Sequence, residues 1–90
     1  MYNSLVIKVS DTVATVMAPI KQGEQIVYNM DGVEKELTAA DNIPIYHKAA
    51  LIDIAKGEPV IKYGCKIGCA TQDIKKGQHV HTHNLDSAAD

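Results

Sequence analysis

One short pattern occurs three times in this 90-residue chain and restricts its fold more than any other feature. Residues 50–60 and 70–80 match at six positions with an offset of twenty, and residues 20–26 form a looser third copy. Each copy has an aliphatic residue, two residues, a glycine, two residues and a second aliphatic residue. Glycine permits the positive φ of a tight turn, and the aliphatic residues anchor the chain on both sides. Three uneven copies are too few for a solenoid, so the pattern predicts a compact barrel-like body.

Two further patterns predict β-hairpins. Residues 24–30 and 33–38 alternate in polarity on either side of Asp31-Gly32, which is a strong hairpin signal. Residues 5–9 and 13–17 are apolar and β-branched around a three-residue turn, which predicts a second hairpin. Proline and dense glycines in the second half leave no stretch for an amphipathic helix of three turns. The predicted fold class is therefore all-β.

The composition excludes several classes of function. Nine lysines, no arginine and eleven acidic residues give a formal net charge of −2, without the basic stripe of a nucleic-acid binder. No apolar run approaches the roughly 20 residues of a membrane span, and no signal peptide is recognisable, so we expect a cytoplasmic protein. The length suits a single domain over residues 1–90, with a polar tail over 86–90. Because such a small core gives little stability, a partner, a metal or a homo-oligomer is expected.

Histidines are the candidates for chemistry. Three of the four lie at His79, His81 and His83, and residues two apart on a strand share a face about 6.5–7 Å apart. Two such imidazoles can converge on one divalent metal, and three can do so only if the strand bends. The alternatives are direct substrate contact and exposed histidines on a solvated strand face.

His47-Lys48 is the second candidate. An imidazole beside an ammonium group can hold a carboxylate or transfer a proton. The alternative is an ordinary polar residue pair at the start of a strand.

Two other repeated residue types are interpreted structurally. Asp53 and Asp73 match across the repeat and are interpreted as turn formers rather than a catalytic pair. Cys65 and Cys69 have C-x3-C spacing instead of the C-x-x-C of redox or zinc sites, which predicts small packing residues or free thiols.

The second half of the chain carries a long motif. It runs H-K, then K-G-E-x-V-x-K-Y-G, then I-G-x-A, and finally G-x-H-V-H-x-H-N. Residues 43–85 thereby resemble the N-terminal SAF domain of the altronate/galactarate dehydratase family. Tyr46 departs from the motif, which usually has glycine before H-K, where glycine would permit a positive φ.

The resemblance implies an SAF-type β-clip, a small all-β fold. It also implies dehydration of a sugar acid with a divalent metal, most often Fe²⁺, with Mn²⁺ or Zn²⁺ as alternatives. In some family members this domain is fused to a larger catalytic domain, and in others, including the related sulfolactate sulfo-lyase, it is a separate small subunit. Because this chain ends at Asp90, a larger catalytic subunit is the implied partner and a sugar acid the implied small-molecule substrate.

Roles for individual residues follow from the same resemblance. His81 and His83 are the implied metal ligands, and His47 and Lys48 are the implied catalytic residues, while participation of His79 stays open. The alternative functions are a non-catalytic module that binds carbohydrates or sugar acids, the small subunit of a sulfolactate sulfo-lyase, and a small metal-carrying protein.

Overall fold

A computed structural model describes residues 2–87, which form short antiparallel strands and tight turns. The strands are β1 (Ser4–Leu5), β2 (Val13–Val16), β3 (Gln25–Met30), β4 (Val33–Thr38), β5 (Lys48–Ala50), β6 (Pro59–Lys62), β7 (Cys65–Ala70), β8 (His79–Val80) and β9 (Leu85–Asp86). Four strands pair in the order β1-β2-β5-β8, three pair in the order β6-β7-β9, and β3 and β4 form a separate hairpin. No helix occurs among residues 2–87, so the all-β prediction is confirmed.

The hairpin predicted around Asp31-Gly32 is confirmed. Both turn residues have positive φ, 54° at Asp31 and 81° at Gly32, as a type I′ turn requires. The ladder runs without interruption from Gln25 opposite Thr38 to Met30 opposite Val33. The Asn29 side chain accepts a 3.0 Å hydrogen bond from the Gly32 amide and closes the turn.

The first hairpin is shorter than predicted, because β1 ends at Leu5 and residues 6–9 leave the ladder. The carboxylate of Asp11 accepts hydrogen bonds from the backbone N–H groups of Ile7, Lys8 and Gly64, at 3.1, 3.2 and 2.7 Å. These bonds give the segment an alternative to strand pairing. A strand over the whole of residues 5–9 is therefore wrong, although its first residue does pair with β2.

The repeated pattern forms the same turn four times, once more than the sequence indicated. Each turn ends in a bulge, where two consecutive residues oppose one residue of a neighbouring segment. At the last copy the Gly77 amide donates to the Ala50 carbonyl, and the Ala50 amide donates to the Gln78 carbonyl, at 2.8 and 3.0 Å. The first bulge residue has positive φ in every copy: Gly23 (91°), Tyr46 (68°), Gly57 (87°) and Gly77 (89°).

Asp53 and Asp73 hold two of these turns together. The Asp53 carboxylate accepts a 2.8 Å hydrogen bond from the Lys76 amide, and Asp73 accepts a 2.9 Å bond from the Lys56 amide. The two turns also pair through the bridge between Ile54 and Ile74. Both aspartates therefore act as turn formers, as the repeat indicated.

The core has two parts that share strands β2 and β5. Ala14 and Ala49 pack in a cluster that includes Ile26, while Val13 and Ala50 pack in a second cluster with neighbouring repeat residues. Successive strand side chains point to opposite faces, so one short strand can serve both clusters. Small residues at these positions let β5 lie between them, and this strand begins at the candidate site.

The described part of the chain ends shortly after β9. Strand β9 includes Asp86, where the polar tail was expected to begin, and residues 88–90 lie outside the described part.

Cys65 is exposed and Cys69 partly buried, and both are free thiols. Within residues 2–87 we find no helix with the length and apolar character needed to cross a bilayer.

Candidate metal centre

Two neighbouring strands bring three histidines together. Strands β5 and β8 pair with Ala49 opposite His79 and Lys48 opposite Val80. One step further along this register, His47 faces His81 across the sheet. Since His79 and His81 are two residues apart, all three imidazoles lie on one face.

The three rings are in close contact. His47 Nδ1 lies 2.9 Å from His79 Nε2, and the ring centroids of His47 and His81 are 3.9 Å apart with an interplanar angle of 15°. One ring nitrogen from each of the three histidines lies within 4.8 Å of the other two. All three side chains are partly buried, unlike the exposed histidines of a solvated strand.

The fourth histidine and Lys48 lie beside this group. His83 is exposed in the turn after β8, and its ring centroid is 5.0 Å from that of His79 with a tilt of 39°. His83 does not belong to the group of three. His79 belongs to it, although the sequence had left its participation open. Lys48 alternates to the face opposite His47, where it is half-buried.

A proline explains why His47 is available for the site. In the other three turns, a Glu or Gln side chain at the equivalent position accepts a hydrogen bond from the backbone amide three residues earlier; these are Glu24, Glu58 and Gln78. The residue three positions before His47 is Pro44, which has no N–H to be capped. The side chain at position 47 is therefore free to face His79 and His81.

Two polar side chains near the histidines were missed by sequence reasoning. The carboxylate of Asp41 accepts a 3.0 Å hydrogen bond from the His79 amide. Asn84 is 3% exposed and binds the backbone of both His79 and His81. Asn84 was visible only as the last letter of the motif, and Asp41, 38 residues before His79, gave no signal.

The electrostatics of the site favour neutral imidazoles. Burial lowers the pKa of His79, and the other three histidines lower it further, while Asp41 acts in the opposite direction. Burial also lowers the pKa of His81, followed by the charges of His47, Lys48 and His83. The pKa of Lys48 is itself lowered, by burial and then by Lys62. Neutral imidazole is the form that binds metals.

Two of the three imidazoles already lie at the separation that one divalent ion requires. Histidine nitrogens lie about 2.0–2.1 Å from such an ion, so two ligands at right angles are about 3 Å apart. The 2.9 Å between His47 Nδ1 and His79 Nε2 agrees with that separation. The same distance suits an N–H···N hydrogen bond when one ring carries the proton, so protons would compete with a metal ion for these nitrogens.

Acidification should destabilise the metal-free chain. Because the pKa values of His79 and His81 are lowered in the folded state, the unfolded chain binds more protons once the pH falls to about 6.5. This contribution to stability is fully present above that pH and is lost as the pH falls through the lowered values. Urea unfolding at about pH 7.5 and 5.5 measures the change in unfolding free energy. In the double variant His79→Gln, His81→Gln, the difference in unfolding free energy between the two pH values should be smaller. An unchanged pH dependence in that variant would contradict the attribution of this effect to His79 and His81.

Replacing Tyr46 with glycine should stabilise the fold slightly. A left-handed backbone costs an ordinary residue about 1–2 kcal/mol, whereas the greater freedom of glycine in the unfolded chain offsets about 0.4–1 kcal/mol. Tyr46 is 65% exposed, so little packing is lost. We expect Tyr46→Gly to raise the unfolding free energy by about 0.5–1 kcal/mol in urea titrations. The reverse change Gly57→Tyr, at φ 87°, should lower it, and a clear loss of stability in Tyr46→Gly would contradict this account.

The chain is similar to proteins of known activity. The family model described as the altronate/galactarate dehydratase SAF domain matches residues 2–88. The chain is 42% identical over 74 residues to an altronate dehydratase of Escherichia coli (strain K12), covering 82% of this chain and 14% of that protein.

Two subunits of another lyase are also similar. The (2R)-sulfolactate sulfo-lyase subunit alpha of Chromohalobacter salexigens is 53% identical over 45 residues, which is 50% of this chain and 48% of that subunit. Its namesake from Paracoccus pantotrophus is 47% identical over 58 residues, 64% of this chain and 87% of that subunit. This chain thus spans a small part of the altronate dehydratase, about half of one alpha subunit and most of the other. With the match over residues 2–88, the chain belongs to the altronate/galactarate dehydratase SAF domain family.

Proposed function

We propose that this chain is the metal-binding SAF component of a cytoplasmic lyase that removes water from a sugar acid, in a complex with a larger catalytic chain. The observation that carries the proposal is the group of three imidazole nitrogens within 4.8 Å of one another. Similarity to an altronate dehydratase supports the substrate class, and similarity to proteins named as alpha subunits supports a second chain.

His47, His79 and His81 are the proposed ligands of a divalent ion, with Fe²⁺ preferred over Mn²⁺ and Zn²⁺. Such an ion, when bound, supplies Lewis acidity toward the carboxylate and leaving hydroxyl of the substrate. The lowered pKa values of His79 and His81 support the proposal, since they keep the nitrogen lone pairs free near neutral pH. His83 is the nearest further imidazole and stays a candidate ligand for the assembled enzyme.

Lys48 is the proposed contact for the substrate carboxylate. Its charge acts on His81 and lowers the pKa of that ring, so the ammonium group lies within electrostatic range of the site. Because Lys48 leaves the strand on the face opposite His47, a carboxylate paired with its ammonium group would lie beside the three imidazoles. Because His47 is assigned to the metal, the base that removes the α-proton is proposed to be a residue of the larger chain.

The alpha subunit of a sulfolactate sulfo-lyase is the second candidate. The observation that favours it is the length of the Paracoccus subunit, of which 87% aligns with this chain at 47% identity. Both candidates place a metal and a partner chain at the same histidines, and they differ in whether water or sulfite leaves.

Affinity purification of the tagged chain from its native lysate, without oxygen and with Fe²⁺, tests the proposal. The eluate is assayed for dehydration of altronate, galactarate and other sugar acids, and for sulfite release from sulfolactate. We expect a stoichiometric larger chain, turnover only in the complex, and loss of turnover in His47→Ala and His81→Ala. Unchanged turnover in both variants would refute the site, and a chain that binds a sugar acid alone, without metal or partner, would favour a non-catalytic binding module.

A further inference from the structure

Strand β8 and the residue directly after it carry two of the three proposed ligands, yet the strand is only two residues long and lies at the edge of its sheet. Its inner side pairs with β5, and among residues 2–87 no strand covers its outer side. A short edge strand with unpaired backbone groups opens readily. Something other than a strand must therefore hold His79 and His81 in place.

Side chains and a turn form the hydrogen bonds that a neighbouring strand would otherwise form with His79 and His81. The outward amide of His79 donates to Asp41 Oδ2 at 3.0 Å, and its carbonyl accepts from Asn84 Nδ2 at 2.9 Å. The amide of His81 donates to Asn84 Oδ1 at 3.0 Å, and its carbonyl accepts from the amides of Asn84 and Leu85 at 3.1 and 2.9 Å. All four outward backbone groups of the two histidines are thus bonded.

Asn84 acts here in the manner of a neighbouring peptide group. Its side chain donates to one residue and accepts from another two positions away, as a residue of an adjacent parallel strand would. The side chain is 3% exposed, so water does not compete with these bonds. Asparagine can do this because its amide carries both a donor and an acceptor, whereas ionised aspartate only accepts.

We propose that Asn84 is a positioning residue that fixes His79 and His81 as a pair of metal ligands, with Asp41 completing the clamp. The inference rests on the proposed metal site. Asn84 does not contact the ion itself; it acts by holding the backbone from which both imidazoles project. Residues that orient ligands in this way typically change metal affinity about 10–100-fold when they are removed.

Cobalt(II) binding to the full chain tests this inference, because the visible absorption of Co²⁺ reports the ligand geometry. For Asn84→Ala we expect a Kd for Co²⁺ about 10–100-fold higher than that of the unmodified chain, with an altered absorption spectrum. Asn84→Asp keeps the acceptor for the His81 amide and nearly the same volume, so it should fold and show a smaller change in the same direction.

Asp11 offers a matched control. Its side chain is 5% exposed and likewise binds the backbone, at Ile7, Lys8 and Gly64. Asp11→Asn should lower the Tm and leave the Co²⁺ spectrum and Kd unchanged, which separates loss of stability from loss of positioning. If both Asn84 variants had the same Co²⁺ spectrum and Kd as the unmodified chain, the inference would be overturned while the proposed metal site would stand. Absence of Co²⁺ binding by the unmodified chain would overturn the metal site and this inference with it.

Discussion

Replacing any one of His47, His79 and His81 with alanine should weaken divalent-metal binding by at least about 100-fold, or about 2.7 kcal/mol. Each imidazole supplies one of three nitrogens that lie within 4.8 Å of one another, so two ligands do not hold the ion as three do. Calorimetric titration of the chain with Zn²⁺, and with Fe²⁺ in the absence of oxygen, measures the Kd for each ion. The three variants should also retain the fold, since their rings are only partly buried.

His83→Ala is the control for this series. It removes an imidazole of the same motif whose ring is exposed and tilted by 39° to that of His79. We expect its Kd to stay within about threefold of the unmodified value, a difference below about 1 kcal/mol. If His83→Ala weakened binding as much as His79→Ala, the ligand set would instead be the one drawn from the motif, with His83 in it.

Gly77→Ala should destabilise the fold by at least about 3 kcal/mol, since left-handed strain and overpacking add. A methyl group at Gly77 would collide with the carbonyl oxygen of Thr38 and lie 3.3 Å from the Ala40 amide nitrogen, and both are backbone atoms that cannot rotate away. The residue also has a φ of 89°, which an alanine tolerates poorly. Urea unfolding followed by circular dichroism measures the loss.

Gly57→Ala is the matched control, because Gly57 occupies the same place in another copy of the turn. Its φ is 87°, but a methyl group there would meet nothing within 4 Å. We expect a loss of only about 1–2 kcal/mol, from backbone strain alone. The difference between the two variants measures the collision at Thr38, and equal losses would contradict the packing described for Gly77.

The sequence was sufficient for the fold class and for most of the local turns. Asp31-Gly32 specified its hairpin because the two φ values of that turn are a local property of the residues. The fourth turn escaped notice because Tyr46 occupies the position that glycine holds in the other copies. Tertiary contacts with Val16 hold that residue in the left-handed conformation, and such contacts leave no trace in the pattern.

The site could be predicted only in part, because it depends on contacts between distant residues. His47 and His79 are 32 residues apart, and only the pairing of β5 with β8 brings their nitrogens to 2.9 Å. Spacing alone favoured a single face for His79, His81 and His83, but the chain turns after His81, where the Asn84 and Leu85 amides bind its carbonyl. This turn separates His83 from the group of three.

The order of the strands along the chain also sets when the group of three histidines can form during folding. Strand β5 lies between β2, about 35 residues earlier, and β8, about 30 residues later, so its sheet closes through distant contacts. Domains dominated by such contacts fold in about milliseconds to seconds, slower than helical proteins of similar size. During synthesis, His47 emerges before His79 and His81, so the three histidines can come together only after residue 81 is available. A metal ion at the proposed site would therefore bind a sheet that has already paired, rather than nucleate the first structure.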